Sequence, residues 1–216
     1  RMIGRHLRAA WPDTGGLTVL GFGYATPYLP LFAGEAARLF AAMPPAQGVL
    51  PWPEDGVCRT LLSEEAELPL ADLSVDRVLL VHGVECAEPV RPLMREIWRV
   101  LSGSGRLLVV APNRRGIWAR LERTPFGFGR PYTPSQLTRL LRDTMFTPLA
   151  VAPALFVPPT RSRMLLSAAP ALETLGADWF NAVGGVVVAE ATKQIYAATP
   201  TSEAVKRRAY ATVVDR

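Results

Sequence analysis

Residues 17–29 read Leu-Thr-Val-Leu-Gly-Phe-Gly-Tyr-Ala-Thr-Pro-Tyr-Leu, and no other stretch constrains the fold as strongly. Leu17, Val19, Leu20 and Phe22 form the apolar, partly β-branched run of a buried strand. Gly21 and Gly23 let the backbone turn tightly and approach a ligand closely. Thr26 is placed to cap a helix, and Pro27 suits its first position, where a missing N–H costs nothing. Leu29, Phe32, Ala36, Leu39, Phe40 and Met43 recur at helical spacing, which predicts a helix from Thr26 to Met43 with one stripe on a sheet. A strand-to-helix turn of this kind points free amides and a positive dipole end at whatever sits above it, so carboxylates and phosphates suit the place.

The remaining pattern extends this unit into an α/β chain. Arg1 to Trp11 reads as a short basic helix. Pro44-Pro45 breaks the first helix, Gly48 to Pro53 reads as a second strand stopped by proline, and Arg59 to Leu62 as a brief third. An acidic loop, Ser63 to Leu70, leads to a strongly apolar fourth strand over Val75 to His82. Glu88 to Leu101 is the clearest amphipathic helix, with Val90, Leu93, Met94, Ile97, Trp98 and Leu101 on one side and Arg91, Arg95 and Arg99 largely on the other. Ser102-Gly103-Ser104-Gly105 is expected to end it, with a fifth strand over Leu107 to Ala111. Thr133-Pro134-Ser135-Gln136 has the form of a capping box opening a helix through Leu137, Leu140 and Leu141. Phe146 to Val157 and Gly184 to Tyr196 read as the last two strands, Arg163 to Leu175 as a helix, and Thr201 to Tyr210 as a basic tail helix. Strands alternating with helices predict a parallel sheet covered on both faces.

A length of 216 residues suits one domain with one core, and 49% hydrophobic with 20% charged residues excludes a disordered chain. No apolar run reaches the roughly 18 residues of a spanning helix, so a soluble, cytoplasmic chain is expected. The first residue is Arg1 rather than Met, so the lack of a targeting segment carries no weight. Cys58 and Cys86 lack metal-ligand spacing and are expected as buried free thiols. The charge of +5, from 24 basic and 19 acidic residues, is a mild bias toward anionic partners.

From Leu17 to Phe146 the order of motifs resembles the class I S-adenosylmethionine-dependent methyltransferases, in particular their type 11 branch. Four pieces carry the resemblance. They are Val19-Leu20-Gly21-Phe22-Gly23-Tyr24-Ala25, Glu64-Glu65-Ala66-Glu67-Leu68-Pro69-Leu70, Val75-Asp76-Arg77-Val78-Leu79-Leu80-Val81-His82, and Arg95 to Leu101 followed by Gly103 to Leu108. The resemblance implies an α/β, Rossmann-like sheet of seven strands in the order 3-2-1-4-5-7-6, the last strand antiparallel, with helices on both faces. It implies a cofactor half (about 1–111), a lid (112–132) and a C-terminal half (133–216). S-adenosylmethionine would lie over the carboxyl ends of the first strands, held by Gly21, Phe22, Gly23, Tyr24 and Ala25. Glu64 would accept from the adenine amino group, with Glu65 or Ala66 supplying a neighbouring amide, and Trp52 and Gly83 complete the cofactor set. His82 is the candidate general base. The chain departs from the family at Gly21, where an acid is usual, and at Ala25 and Pro27, where glycines are usual. The ribose-gripping carboxylate is not evident; in the Trp52–Pro53 region, Glu54 or Asp55 would have to reach back.

Between Pro112 and Tyr132 five arginines alternate with Trp118, Phe126, Phe128 and Tyr132. Guanidinium groups favour carboxylate and phosphate, and aromatic faces favour planar groups. Arg114, Arg115, Trp118, Arg120, Arg130 and Tyr132 are therefore candidates for holding an anionic small-molecule or macromolecular acceptor. Nucleic acid is the lesser alternative, because a stacking and charge surface is present without a recognised RNA-binding module. The competing reading of the whole chain is a catalytically inactive methyltransferase fold acting as a binding or partner-regulating module. A dinucleotide-binding oxidoreductase is weaker, for lack of the third glycine.

Overall fold

The structure, a computed structural model, describes residues 2–116, 129–156 and 184–195. Its centre is a seven-stranded sheet: β1 (Thr18–Gly23), β2 (Arg38–Met43), β3 (Thr60–Leu62), β4 (Val75–Val81), β5 (Leu101–Pro112), β6 (Phe146–Ala154) and β7 (Val186–Lys193). Their order is β3-β2-β1-β4-β5-β7-β6, as the resemblance implies. β1 to β5 pair in parallel, and β7 runs antiparallel to both β5 and β6.

Alternation along the central strands sorts side chains onto two faces. Leu20, Phe22, Val78, Leu80, Leu107 and Val109 pack on one side, under α2 (Val90–Val100) and α3 (Pro134–Asp143), which add Leu93, Met94, Ile97, Leu137 and Leu141. Val19, Leu79, Val81, Leu108 and Val110 pack on the other, under Ile3 and Leu7 of α1 (Met2–Ala10) and under Leu29 and Phe32. Both faces are thus covered, as expected. Asp76 ties three strands together at the opposite end from the site, accepting from Thr18 N at 3.0 Å and from Ser102 Oγ at 3.1 Å.

Three expectations need correction. The predicted helix from Thr26 to Met43 is a single 3-10 turn over Leu29–Phe32, and Arg38–Met43 is the second strand. Pro30 removes an amide inside the helical pattern and Gly34 weakens what remains, so the segment yields to pairing on both edges of β2. The predicted second strand at Gly48 to Pro53 is a bent loop. Pro51 and Pro53 cannot donate to a ladder, and the loop is held instead by Thr60, whose Oγ1 accepts from Trp52 N at 3.1 Å and donates to Leu50 O at 2.8 Å. Ser102 to Gly105 does not separate α2 from its strand: β5 starts at Leu101 and runs through it, with an irregular register against β4 between Val75 and Arg77.

The capping box forms as read. Thr133 Oγ1 accepts from Gln136 N at 3.2 Å and Gln136 Oε1 accepts from Thr133 N at 3.0 Å. Cys58 and Cys86 are free thiols, but both are exposed rather than buried, since both lie in loops. The helices expected over 163–175 and 201–210 lie outside the described residues. Among the described residues no helix is long and apolar enough to cross a membrane.

Candidate functional site

The sheet reverses its winding between β1 and β4, and ligands of open α/β sheets lie beyond the carboxyl ends of strands at such a point. The loops after β1, β2, β3 and β4 meet there. The first begins at Gly23, whose φ of +75° is the left-handed region open to glycine, and a Cβ there would collide with the Val81 carbonyl. Tyr24 N donates to that same carbonyl at 2.8 Å, which ties the end of β1 to the end of β4. At Gly21 a Cβ would sit 2.7 Å from Ala25 Cβ and 2.9 Å from Leu29 Cδ1. The space an acidic side chain would need at Gly21 is therefore filled by the returning loop. Phe22 and Ala25 are fully buried and belong to the packing of the turn, whereas Tyr24 is half exposed. With only one 3-10 turn following, the helix dipole contributes little here, and the loop's amides are the remaining donors.

Thr26, Pro27, Pro30, Trp52 and Glu54 line a cleft of about 390 Å³ beside this turn. Trp52 is thus brought to the site, though from a loop rather than from a strand end. Glu64 stands exposed just past β3, Ala66 is exposed, and Glu65 is half-buried with its carboxyl pushed up by burial. Arg99 fixes this segment. Its guanidinium donates to Leu68 O at 2.9 Å and Leu70 O at 2.8 Å while pairing with Glu96 at 2.7 Å and Asp72 at 2.6 Å, and Glu96 in turn accepts from Leu68 N at 2.9 Å.

His82 follows β4 with φ +52°, a conformation uncommon outside glycine, so its side chain leaves the strand direction. Its Nδ1 donates to Glu85 Oε1 at 2.6 Å, and the two side chains are 14% and 2% exposed, so water screens the pair poorly. Glu85 Oε2 is buried without a partner among the described residues. Gly83 is buried, and a Cβ on it would meet Leu80 Cδ1 at 2.5 Å, which accounts for the glycine by packing.

Sequence reasoning missed Glu85, which meets His82 only because the chain turns through the left-handed region there. It also missed Gln47, for which the misplaced second strand left no signal. Past Met43 the chain continues as Pro44-Pro45-Ala46-Gln47, with no carboxylate. Gln47 Nε2 donates to His82 O at 2.5 Å, and its Oε1 is buried with no partner among the described residues, an arrangement costing about 1–3 kcal/mol. The amide also faces the Cys86 thiol.

Residues 129–132 pack on the same loop. Arg130 N donates to Glu85 O at 2.8 Å, Tyr132 Oη to Val84 O at 3.4 Å, and Gly129, at φ +79°, has room for no Cβ against Glu85 O. Burial and then Glu85 push the Tyr132 phenol up. Arg130 and Tyr132 border a cleft of about 540 Å³ with Val84, Glu88 and Arg91, and Arg130 pairs with Glu88 at 2.7 Å. Arg114 and Arg115 are exposed just past β5, beside the fully buried Asn113. Trp118 and Arg120 lie outside the described residues.

Residues 21–109 match the model of a family described as a methyltransferase domain, and this span holds the glycine turn, the acidic segment and His82. Over this span the chain resembles the class I methyltransferases, and its sheet has their fold. Solved methyltransferases share the architecture. The chain is similar to a methyltransferase of Archaeoglobus fulgidus (17% identity, 88% of this chain and 93% of that one, TM-score 0.64). It is also similar to a possible histamine N-methyltransferase of Thermotoga maritima (18%, 88% and 87%, 0.61). A third is geranyl diphosphate C-methyltransferase of Streptomyces coelicolor, solved with S-adenosylhomocysteine (13%, 88% and 76%, 0.60). At these identities the likeness is one of fold. The sequence has no significant match among curated proteins.

S-adenosylmethionine is the cofactor this family uses, and most of its contacts have a counterpart. Glu64 would offer an exposed acceptor at the adenine side, Trp52 an apolar wall, and the Ala25 and Thr26 amides would serve the methionine end, since the Tyr24 amide is already bonded to Val81 O. At the ribose side the acceptor present is the orphaned Gln47 Oε1 rather than a carboxylate. The residues fit the group, on condition that Gln47 moves.

Proposed function

We propose that this chain is a methyltransferase that transfers the methyl group of S-adenosylmethionine to an anionic acceptor, with His82 as general base. The observation that carries the reading is the shielded His82–Glu85 pair directly beyond β4, tied through Val81 to the glycine turn of β1. When bound, the cofactor supplies a sulfonium methyl carbon as electrophile. Gly23, Tyr24 and Ala25 support its amino-acid end, and Glu64, with the Glu65–Ala66 backbone, its adenine.

Glu85 holds the proton on Nδ1 of His82, which puts the ring's lone pair on Nε2, the atom that takes a proton from the attacking oxygen or nitrogen. Much of the rate then comes from holding nucleophile and methyl in line. Arg114, Arg115 and Arg130 supply positive charge on the lid side, which favours a carboxylate or phosphate on the acceptor, and Tyr132 supplies an aromatic wall.

Calorimetric titration with S-adenosylhomocysteine tests the cofactor half: micromolar binding that weakens in Glu64→Ala supports it, and no heat from a folded protein rejects it. Transfer of radiolabelled methyl from S-adenosylmethionine to a panel of small carboxylates and phosphates tests the acceptor half. Label confined to neutral acceptors would overturn the anionic reading.

A further inference from the structure

Gln47 sits at the end of a 3-10 turn over Pro45–Gln47, launched from β2 by Pro44 and Pro45 and followed by Gly48 in the left-handed region at φ +74°. Its side chain reaches across the end of β1 to the end of β4 and donates to the His82 carbonyl. On the way it passes over the glycine turn: a Cβ built on Gly23 would lie 3.4 Å from Gln47 Oε1 and 3.5 Å from Gly83 N. The side chain therefore spans the trough at the switch point, between the loops that would hold the adenosyl group and the loop that carries His82.

The span is poorly satisfied. One end makes a short hydrogen bond, but the amide oxygen is buried with no donor among the described residues, and the amide cannot be turned over, because its nitrogen must face the His82 carbonyl. A Cβ on Gly48 would meet nothing within 4 Å, so there is space beside the side chain's pivot.

We infer that Gln47 is a latch over the cofactor trough and sets the affinity of this chain for its adenosyl cofactor; the inference rests on the methyltransferase reading. With the latch closed the trough is bridged, and only the open population binds. Opening breaks one hydrogen bond and releases one stranded acceptor to solvent or to a ligand hydroxyl, so the two states lie close in energy. A closed fraction of about 90% would weaken the apparent affinity about tenfold.

The test is calorimetry with S-adenosylhomocysteine on the wild-type chain, Gln47→Ala and Gln47→Glu, with folding checked by circular dichroism. Alanine removes the latch, and glutamate keeps its size but cannot donate to the His82 carbonyl. Both variants are expected to bind about tenfold more tightly, or to bind where the wild-type chain does not. Equal or weaker binding by folded Gln47→Glu overturns the latch, and weaker binding would mean that Gln47 is itself a ligand contact. No binding by any of the three overturns the cofactor reading on which the latch rests.

Discussion

Glu85 holds His82 through its side chain at Nδ1 and, through its backbone carbonyl, anchors the amide of Arg130. The orientation of the imidazole and the seating of residues 129–132 thus depend on one residue. His82→Ala is expected to lower kcat by about 10²–10⁴-fold while leaving S-adenosylhomocysteine binding within about twofold. Glu85→Gln is expected to lower kcat less and to change the tautomer mixture of the His82 ring. Nitrogen-15 spectra read this directly, because His6 is the only other histidine. An unchanged kcat in His82→Ala would remove the base from the mechanism.

Gly23 and Gly48 are both left-handed, but only Gly23 is hemmed in. Gly23→Ala adds a collision with the Val81 carbonyl to the backbone strain and should cost about 2–4 kcal/mol. Gly48→Ala, in open space, should cost only about 1 kcal/mol. Urea midpoints at constant slope measure both; equal losses would show that backbone strain alone accounts for Gly23.

How far the sequence could be read follows from what each segment depends on. The Thr133–Gln136 box is a local hydrogen-bond pattern and was fully legible. Val75–Val81 and Val90–Val100 were legible from apolar runs and helical periodicity. Arg38–Met43 was not, because a strand paired on both edges and covered on both faces loses the alternation that marks a strand, and Leu39, Phe40 and Met43 also match a helical stripe. That misreading moved the end of the second strand to Trp52 and hid Gln47, whose position depends on tertiary pairing. His82 was legible by residue type. Glu85 gains its meaning only from the left-handed turn at His82, which no sequence pattern announces.

Thr133 caps α3 and, with Gln136, closes both ends of the box. Thr133→Ala should destabilise the protein by about 1 kcal/mol, a fall in Tm of roughly 2–4 °C. Leu137 and Leu141 hold α3 to the sheet from inside the core, so the fold should survive and cofactor affinity should not change. A loss of cofactor binding in this variant would mean that α3 is coupled to the cofactor end of the sheet.

The first helix is fastened by charge. Glu35 accepts from the Arg8 guanidinium and from Thr14 N at 3.3 Å and Thr14 Oγ1 at 3.2 Å, and its carboxyl is pulled down to about 2, chiefly by the hydrogen bond from Arg8. A carboxyl whose folded pKa lies below its unfolded value near 4.5 binds fewer protons in the folded chain. Its contribution is complete above about pH 4.5 and is lost as the pH falls toward 2. Both side chains are about one-third exposed, so solvent and salt screen the pair and the contribution is modest. Acid titration of the Trp11 fluorescence environment, which α1 sets against Phe32, should show a transition in this window that Glu35→Gln abolishes and 0.5 M salt blunts. A transition that persists unchanged in Glu35→Gln would assign the acid sensitivity of α1 to other carboxylates.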